Sequence, residues 1–222
     1  MSEYLDLYDY RCRVAALYRE RTRAFLVGED ADTVLKRFRE GRDDLFAYHP
    51  QSALDVAQRG RFHGLRYFPY NPAMRFVVEV DTSVERTRQQ TAMSAEESMT
   101  MTTVGRVHFT VDGELATLSI YWLDLYGGGL FLPFRDATCP VESYGGGRYL
   151  FDTMKGSDPL PVPGESGWRR ITLDFNYAYN PSCAYNDHWV CPLAPLENRL
   201  RVAIRAGERN YRSEEDRQSE TG

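Results

Sequence analysis

The sequence predicts a mainly β domain of the α+β class, folded as an antiparallel barrel or sandwich with N-terminal helices packed on it. Two observations predict this fold. Apolar residues recur at steps of three and four near the N-terminus, whereas after about residue 60 they alternate with polar residues, as in half-buried strands. The predicted strands also follow one another through short turns, without the regular strand–helix alternation of a doubly wound α/β fold.

The N-terminal segment, residues 1–45, is expected to be helical and to pack on the main domain. A first helix is predicted from Ser2, a candidate cap, to about Val27, because apolar positions there share one face. A second, shorter helix is predicted over about residues 32–40. Gly41 is expected to end it.

The remaining segment, residues 46–211, is expected to be the β-rich domain. Asp112-Gly113 separates two alternating segments and is a strong hairpin signal. Residues 82–98 are polar and are expected to be irregular, and the charged tail, residues 212–222, is expected to be disordered. The predicted strands cover residues 74–81, 104–111, 115–122, 130–134, 148–153, 171–177 and 200–206.

Composition and charge argue against several classes of function. The formal net charge is -5 and no basic stripe is visible, so nucleic-acid binding is not expected. No stretch approaches the ~20 apolar residues that span a bilayer, and the acidic N-terminus lacks the features of a signal peptide. We therefore expect no membrane association and a cytoplasmic location. The glycine runs lack the Lys-Ser/Thr of a phosphate loop, and no cofactor is expected.

The cysteines do not match a zinc motif. Zinc sites normally use two pairs of cysteines, each pair separated by two to four residues, whereas Cys183 and Cys191 form one pair with seven residues between them, among them His188. The sequence therefore predicts no metal site. Three interpretations of Cys183 and Cys191 stay open: buried free thiols, a local disulfide, or half of a metal site completed by a distant residue.

Two segments concentrate residues of the kind that line ligand sites. In the first segment, residues 130–150, three glycines precede Arg148. In the second, strand alternation puts Asp174 and Asn176 on the same face. We expect Arg148 to lie with Asp174 and Asn176, or to pair with Asp136, where it would orient an anionic or hydroxyl-rich ligand. The same pairing also fits a buried ion pair that locks two strands, which is the more common role of such a pair.

These segments also resemble a known family, the domain-of-unknown-function 1684 family of uncharacterised bacterial and archaeal proteins. The resemblance extends from about Phe131 to Glu208. It rests on LFLPFRDAT (130–138), SYGGGRYL (143–150), LDFNYAYNPSCAYN (173–186), CPL (191–193) and ENRL (197–200). The resemblance implies a mostly β fold and no particular reaction. Cys139 stands where the family pattern has a glycine, so it is a poor candidate for a shared function.

The leading functional hypothesis is binding of a small polar or anionic ligand in a pocket of the β-rich domain. One alternative is a hydrolase-like or other acid–base enzyme in the same pocket, with Asp174 or Glu197 as general base and Arg148 stabilising an oxyanion. A second alternative is a non-catalytic protein-interaction module. The candidate ligand-binding residues are Tyr144, Arg148, Asp174, Asn176, Asn180, Asn186 and Glu197.

Overall fold

A computed structural model describes residues 2–96 and 98–211 of the chain, so the predicted disorder of residues 212–222 lies outside the described residues. In the described part, the three α-helices come first along the chain and the strands follow. Their bounds are α1 Glu3–Leu26, α2 Ala31–Tyr48, α3 Val56–Gly60, β1 Arg75–Glu79, β2 Arg88–Ala92, β3 Ser98–Val111, β4 Glu114–Leu123, β5 Gly129–Phe134, β6 Arg148–Asp152 and β7 Arg170–Asp174.

The strands form two antiparallel sheets, as the sequence predicts. Strands β2 to β6 form a five-stranded sheet in sequence order, and β1 pairs with β7 in a second, two-stranded sheet. The arrangement is sandwich-like and not a closed barrel. The main hydrophobic core takes buried side chains from both sheets, including Val107, Leu118, Phe134, Leu173 and Phe175. Each fully buried side chain of this kind contributes ~1.5–3 kcal/mol to folding.

The predicted hairpin turn is confirmed. Asp112 and Gly113 connect β3 to β4, and both residues have positive φ, of 50° and 84°. This is the backbone conformation that a two-residue type I′ turn requires, and it matches the right-handed twist of the flanking strands.

The two N-terminal helices pack against each other, but the second is longer than predicted. Helix α2 continues through Gly41 to Tyr48. A Cβ at Gly41 would lie 2.5 Å from Cδ2 of Leu17 on α1, so the glycine permits close helix contact and does not end the helix. Ser2 is at the N-cap of α1, but its side chain makes no capping hydrogen bond. Within residues 2–96 and 98–211, no helix is long and apolar enough to cross a membrane.

Three predictions about strands are wrong. Residues 175–177, predicted as the end of a strand, form a 3₁₀ turn, so it is this turn and not strand alternation that places Asn176 near Asp174. Residues 88–92, expected to be irregular, form the edge strand β2, which has few apolar positions and therefore no alternating pattern. Residues 200–206, predicted as a strand, form bends and not a strand. The carbonyls of Ile204 and Ala206 instead accept hydrogen bonds from the buried guanidinium of Arg148.

Substitution of Gly207 is expected to destabilise the fold through a steric clash. Gly207 has φ +76°, and a Cβ there would lie 2.5 Å from the carbonyl oxygen of Ala178. Gly164 has φ +79° but nothing within 4 Å, so it is a matched control. In urea unfolding, Gly164→Ala should cost ~1–2 kcal/mol for the strained backbone alone. Gly207→Ala should cost ~1–3 kcal/mol more. Equal losses would contradict the close packing at this turn.

Candidate functional site

Arg148 is part of a buried structural network. Its side chain is fully buried at the start of β6, and it donates hydrogen bonds of 2.5–3.0 Å to three backbone carbonyls within residues 204–208. Its carboxylate partner is Asp136, at 3.1 Å, and not Asp174. Arg148 therefore holds the C-terminal segment against β6.

Asp174 and Asn176 do lie together, but with a different cation. One carboxylate oxygen of Asp174 accepts from Nε of Arg75 at 2.6 Å, and the other accepts from the side-chain amide of Asn176 at 2.9 Å. Asn176 also bonds both backbone polar groups of Asn71. Asp174 adjoins a cavity of about 10 Å³, which holds at most one water molecule. This cluster connects β1 to the end of β7.

Glu197 lies in a separate cluster with side chains of β2 and β4, and it is exposed. Its carboxylate accepts hydrogen bonds from Gln89 at 2.7 Å and from the hydroxyl of Tyr121 at 2.9 Å. Burial opposes ionisation, but these hydrogen bonds outweigh it and lower the pKa of Glu197. A carboxylate whose pKa is lowered is a weak general base.

Asn186 and Tyr144 are also away from Arg148. The side-chain amide of Asn186 donates to Gln58 at 3.2 Å, on α3. The hydroxyl of Tyr144 lies 3.5 Å from the sulfur of Cys183. The candidate residues are therefore divided among several clusters and do not line a single pocket.

Asn180 alone among the candidates borders a cavity of useful size. This polar cavity has a volume of about 70 Å³ and lies between α1, α2, β6 and the segment 179–185. Its walls mix aromatic rings with groups that donate and accept hydrogen bonds. They are formed by Tyr10, Val14, Tyr18, Arg42, Phe46, Tyr149, Lys155, Ser157, Tyr179, Asn180, Pro181, Ser182 and Tyr185.

Three polar atoms of the cavity walls are buried without a hydrogen-bond partner in the described part of the chain. They are the hydroxyl of Tyr18, which Ser157 approaches without a hydrogen bond of standard geometry, Oδ1 of Asn180 and Nε of Arg42. Leaving such a group unsatisfied costs ~1–3 kcal/mol, and native proteins satisfy nearly all of them. Burial raises the pKa of Tyr18 to about 12, so its hydroxyl stays protonated at neutral pH and can donate a hydrogen bond.

A buried ion pair forms the base of the polar cavity. The guanidinium of Arg42 donates to one oxygen of Glu208 at 2.5 Å. The other oxygen of Glu208 accepts from the hydroxyl of Tyr185 and from the backbone N–H of Asn180. Arg42 also lies over the ring of Tyr179, 5.2 Å from its centroid. The charge of Arg42 is thus compensated, and its position is fixed.

Lys155 provides a second positive charge, on the exposed side of the cavity. Its side chain is 53% exposed, and its Nζ lies 3.9 Å from Asp152. Burial raises the pKa of Asp152. Ser157, another residue of the cavity wall, shares a 2.6 Å hydrogen bond with the hydroxyl of Tyr179. Because its ion pair is long and its side chain is largely exposed, Lys155 can reach an anionic group that enters the cavity.

Sequence reasoning missed Tyr18, Arg42 and Lys155. Arg42 had a detectable signal, because it follows Phe38 by four residues and precedes Phe46 by four, on the apolar face of α2. A charged residue at that spacing indicates a buried partner. Tyr18 and Lys155 belong to no motif, and only the packing of α1 on the β-rich part brings them to Asn180.

The other groove and the metal-binding residue types give no comparable site. A wider groove of about 800 Å³ runs between α1 and α2, where Asp9 is engaged by Arg13 and His49. In the described residues, no group of three or more His, Cys, Asp or Glu side chains is arranged to hold a metal ion. Cys183 and Cys191 are free thiols in the structure.

Comparisons with known proteins give a family and a fold but no activity. The model of a family described as "Protein of unknown function (DUF1684)" matches residues 60–209. The solution NMR structure of an uncharacterised protein from Haloarcula marismortui is 36% identical to the chain, with a TM-score of 0.57. That match covers 80% of this chain and 93% of the other. No curated protein matches.

Loss of the buried Arg148 should destabilise the protein far more than loss of an exposed arginine. Arg148→Met leaves Asp136 buried without its cation and should cost ~3–5 kcal/mol in urea unfolding. Arg205, in a 2.8 Å ion pair with Glu142 and 61% exposed, provides the control. Arg205→Met should change the stability little, because solvent screens this ion pair. Similar small losses for both variants would show that Arg148 is not a structural lock.

Proposed function

The chain belongs to the DUF1684 family, as its sequence motifs predict, and we propose that it binds a small polar anion in the polar cavity between α1, α2 and the segment 179–185. The observation that carries the proposal is the pair of Tyr18 and Asn180. Both side chains are buried, both border the cavity, and each has a polar atom without a partner among the described residues. One atom is a donor and the other is an acceptor.

The unpartnered donors of the cavity walls favour an anionic ligand. The Tyr18 hydroxyl and the Nε–H of Arg42 are donors without a partner, whereas Oδ1 of Asn180 is the one such acceptor. Arg42 is matched by Glu208, but the ion pair of Lys155 is long, at 3.9 Å, and the Lys155 side chain is 53% exposed. A ligand with an anionic group for Lys155 and a hydroxyl for Asn180 would complement these groups.

The volume of the cavity limits the ligand to a few atoms. A water molecule needs about 10–15 Å³ of such space, so about 70 Å³ corresponds to roughly five waters or a ligand of similar size. Glycolate, which combines a carboxylate with one hydroxyl, is a suitable probe. Acetate lacks the hydroxyl, and ethylene glycol lacks the charge. Comparing the two compounds with glycolate therefore separates the contribution of the hydroxyl to binding from that of the charge.

The acid–base enzyme has weaker support. It requires Asp174 or Glu197 as a base beside Arg148, and these three side chains are held in separate networks of protein partners. None of the three borders the polar cavity. A binding role in which Asn180 and Lys155 contact the ligand is therefore the function that the geometry supports best.

Glycolate binding should depend on Lys155. In a titration followed by amide NMR shifts, Lys155→Met should weaken glycolate binding at least tenfold, about 1.4 kcal/mol. Lys36, exposed on α2, is the only other lysine, and Lys36→Met should leave binding unchanged. Acetate and ethylene glycol should bind more weakly than glycolate. Equal effects of the two lysine variants, or shifts confined to residues outside the cavity walls, would refute the proposed site.

The stability of a Tyr18→Phe variant tests independently whether the Tyr18 hydroxyl lacks a partner in the protein. Tyr18→Phe removes a hydroxyl that has no partner in the described part of the protein, so the free energy of unfolding without ligand should be unchanged or increased. Glycolate binding should nevertheless weaken. Tyr4→Phe, at an 82% exposed position of α1, is the control for both measurements. A loss of ~1 kcal/mol or more in the unliganded Tyr18→Phe protein would mean that the hydroxyl is satisfied internally, contrary to the proposal.

A further inference from the structure

We propose that Cys183 and Cys191 form a redox-active dithiol, which a hydroperoxide converts into an intramolecular disulfide. This inference goes beyond ligand binding and does not depend on it. Three observations support it: the proximity of the two side chains, the hydrogen bonds to the sulfur of Cys183, and the anchoring of Cys191.

The two cysteines are in direct contact. Cys183 lies in the short 3₁₀ turn Ser182–Ala184, and its backbone N–H donates to the sulfur of Cys191 with an N···S distance of 3.4 Å. The backbone nitrogen and Cβ of Cys183 share one Cα, so the sulfur of Cys191 also lies close to the Cys183 side chain. This proximity of the two side chains is what an intramolecular disulfide requires.

The surroundings of Cys183 favour its thiolate. The hydrogen bond from the Cys191 thiol is the main cause, and the hydroxyl of Tyr144 contributes from 3.5 Å. Burial opposes these effects, yet the pKa of Cys183 falls to about 6. The same hydrogen bond raises the pKa of Cys191, so Cys191 keeps its proton. The thiolate is the reactive form, which makes Cys183 the nucleophile and Cys191 the resolving thiol.

Cys191 is held in place by a neighbouring segment. Its backbone N–H donates to the hydroxyl of Ser94 at 2.9 Å, and its carbonyl accepts from the N–H of Ser94 at 2.8 Å. Between the cysteines, Asp187 and His188 are exposed, whereas both cysteines are buried. A small oxidant such as a hydroperoxide therefore fits the site better than a bulky disulfide.

The chemistry balances with a hydroperoxide as the co-reactant. The Cys183 thiolate attacks the O–O bond of hydrogen peroxide, a sulfur–oxygen bond forms, and hydroxide leaves. The sulfur of Cys191 then attacks the sulfenic acid on Cys183, the disulfide forms, and the oxygen departs as water with the proton of Cys191. Two thiols are oxidised, and one hydrogen peroxide is reduced to two water molecules.

Peptide mapping of the oxidised full-length protein tests this inference. One equivalent of hydrogen peroxide should cross-link the peptides that contain Cys183 and Cys191, with the loss of two hydrogen atoms. In Cys191→Ser, Cys183 should stop at the sulfenic acid and be trapped by dimedone. The exposed Cys12 is the control, and Cys12→Ser should give the same yield of cross-link.

Two oxidation patterns would overturn the proposed disulfide. Oxidation of Cys12 or Cys139 while Cys183 and Cys191 remain open to alkylation after denaturation would overturn the proposal. Oxidation of Cys183 in the wild type without a link to Cys191 would overturn it as well. The wild-type map decides the question by itself if the Cys191→Ser variant does not fold.

Discussion

The buried ion pair between Arg42 and Glu208 is the interaction on which the rest of the structure depends. It connects α2 to the C-terminal segment, and the same carboxylate holds Tyr185 and the backbone of Asn180. Removing one partner of such a pair leaves an uncompensated buried charge, at a cost of ~3–5 kcal/mol. A typical domain is stable by only ~5–15 kcal/mol, so loss of either partner would remove a large part of the stability that holds the helices on the β-rich part.

The polar cavity lies at the junction between the family-matched part of the chain and its N-terminal helices. Asn180 and Glu208 belong to the matched residues 60–209, whereas Tyr18 and Arg42 lie on α1 and α2, outside that range. Neither part encloses the cavity alone. A ligand in the cavity would contact both parts, so binding and the packing of the helices stabilise each other by linkage.

The sequence predicted features that depend on local pattern and missed those that depend on tertiary contact. Most strands were predicted because one face of each packs on the core, as in β3 and β4, whereas the polar edge strand β2 left no such pattern. The partners of buried charges were not predictable: Arg148 pairs with Asp136 and with carbonyls of residues 204–208, where a strand was predicted. Asn180 was identified, but its neighbours Tyr18 and Arg42 come from helices far away in sequence.

A high-resolution crystal structure of the protein soaked in sodium glycolate would show whether the polar cavity binds an anion. We expect glycolate in the polar cavity, within hydrogen-bond distance of the Tyr18 hydroxyl and Oδ1 of Asn180, with its carboxylate toward Lys155 and the Arg42–Glu208 pair intact. A cavity closed by its own side chains, with the Tyr18 hydroxyl and Asn180 Oδ1 bonded to protein atoms, would refute the proposed site. A cavity that holds water alone at saturating glycolate would refute it as well.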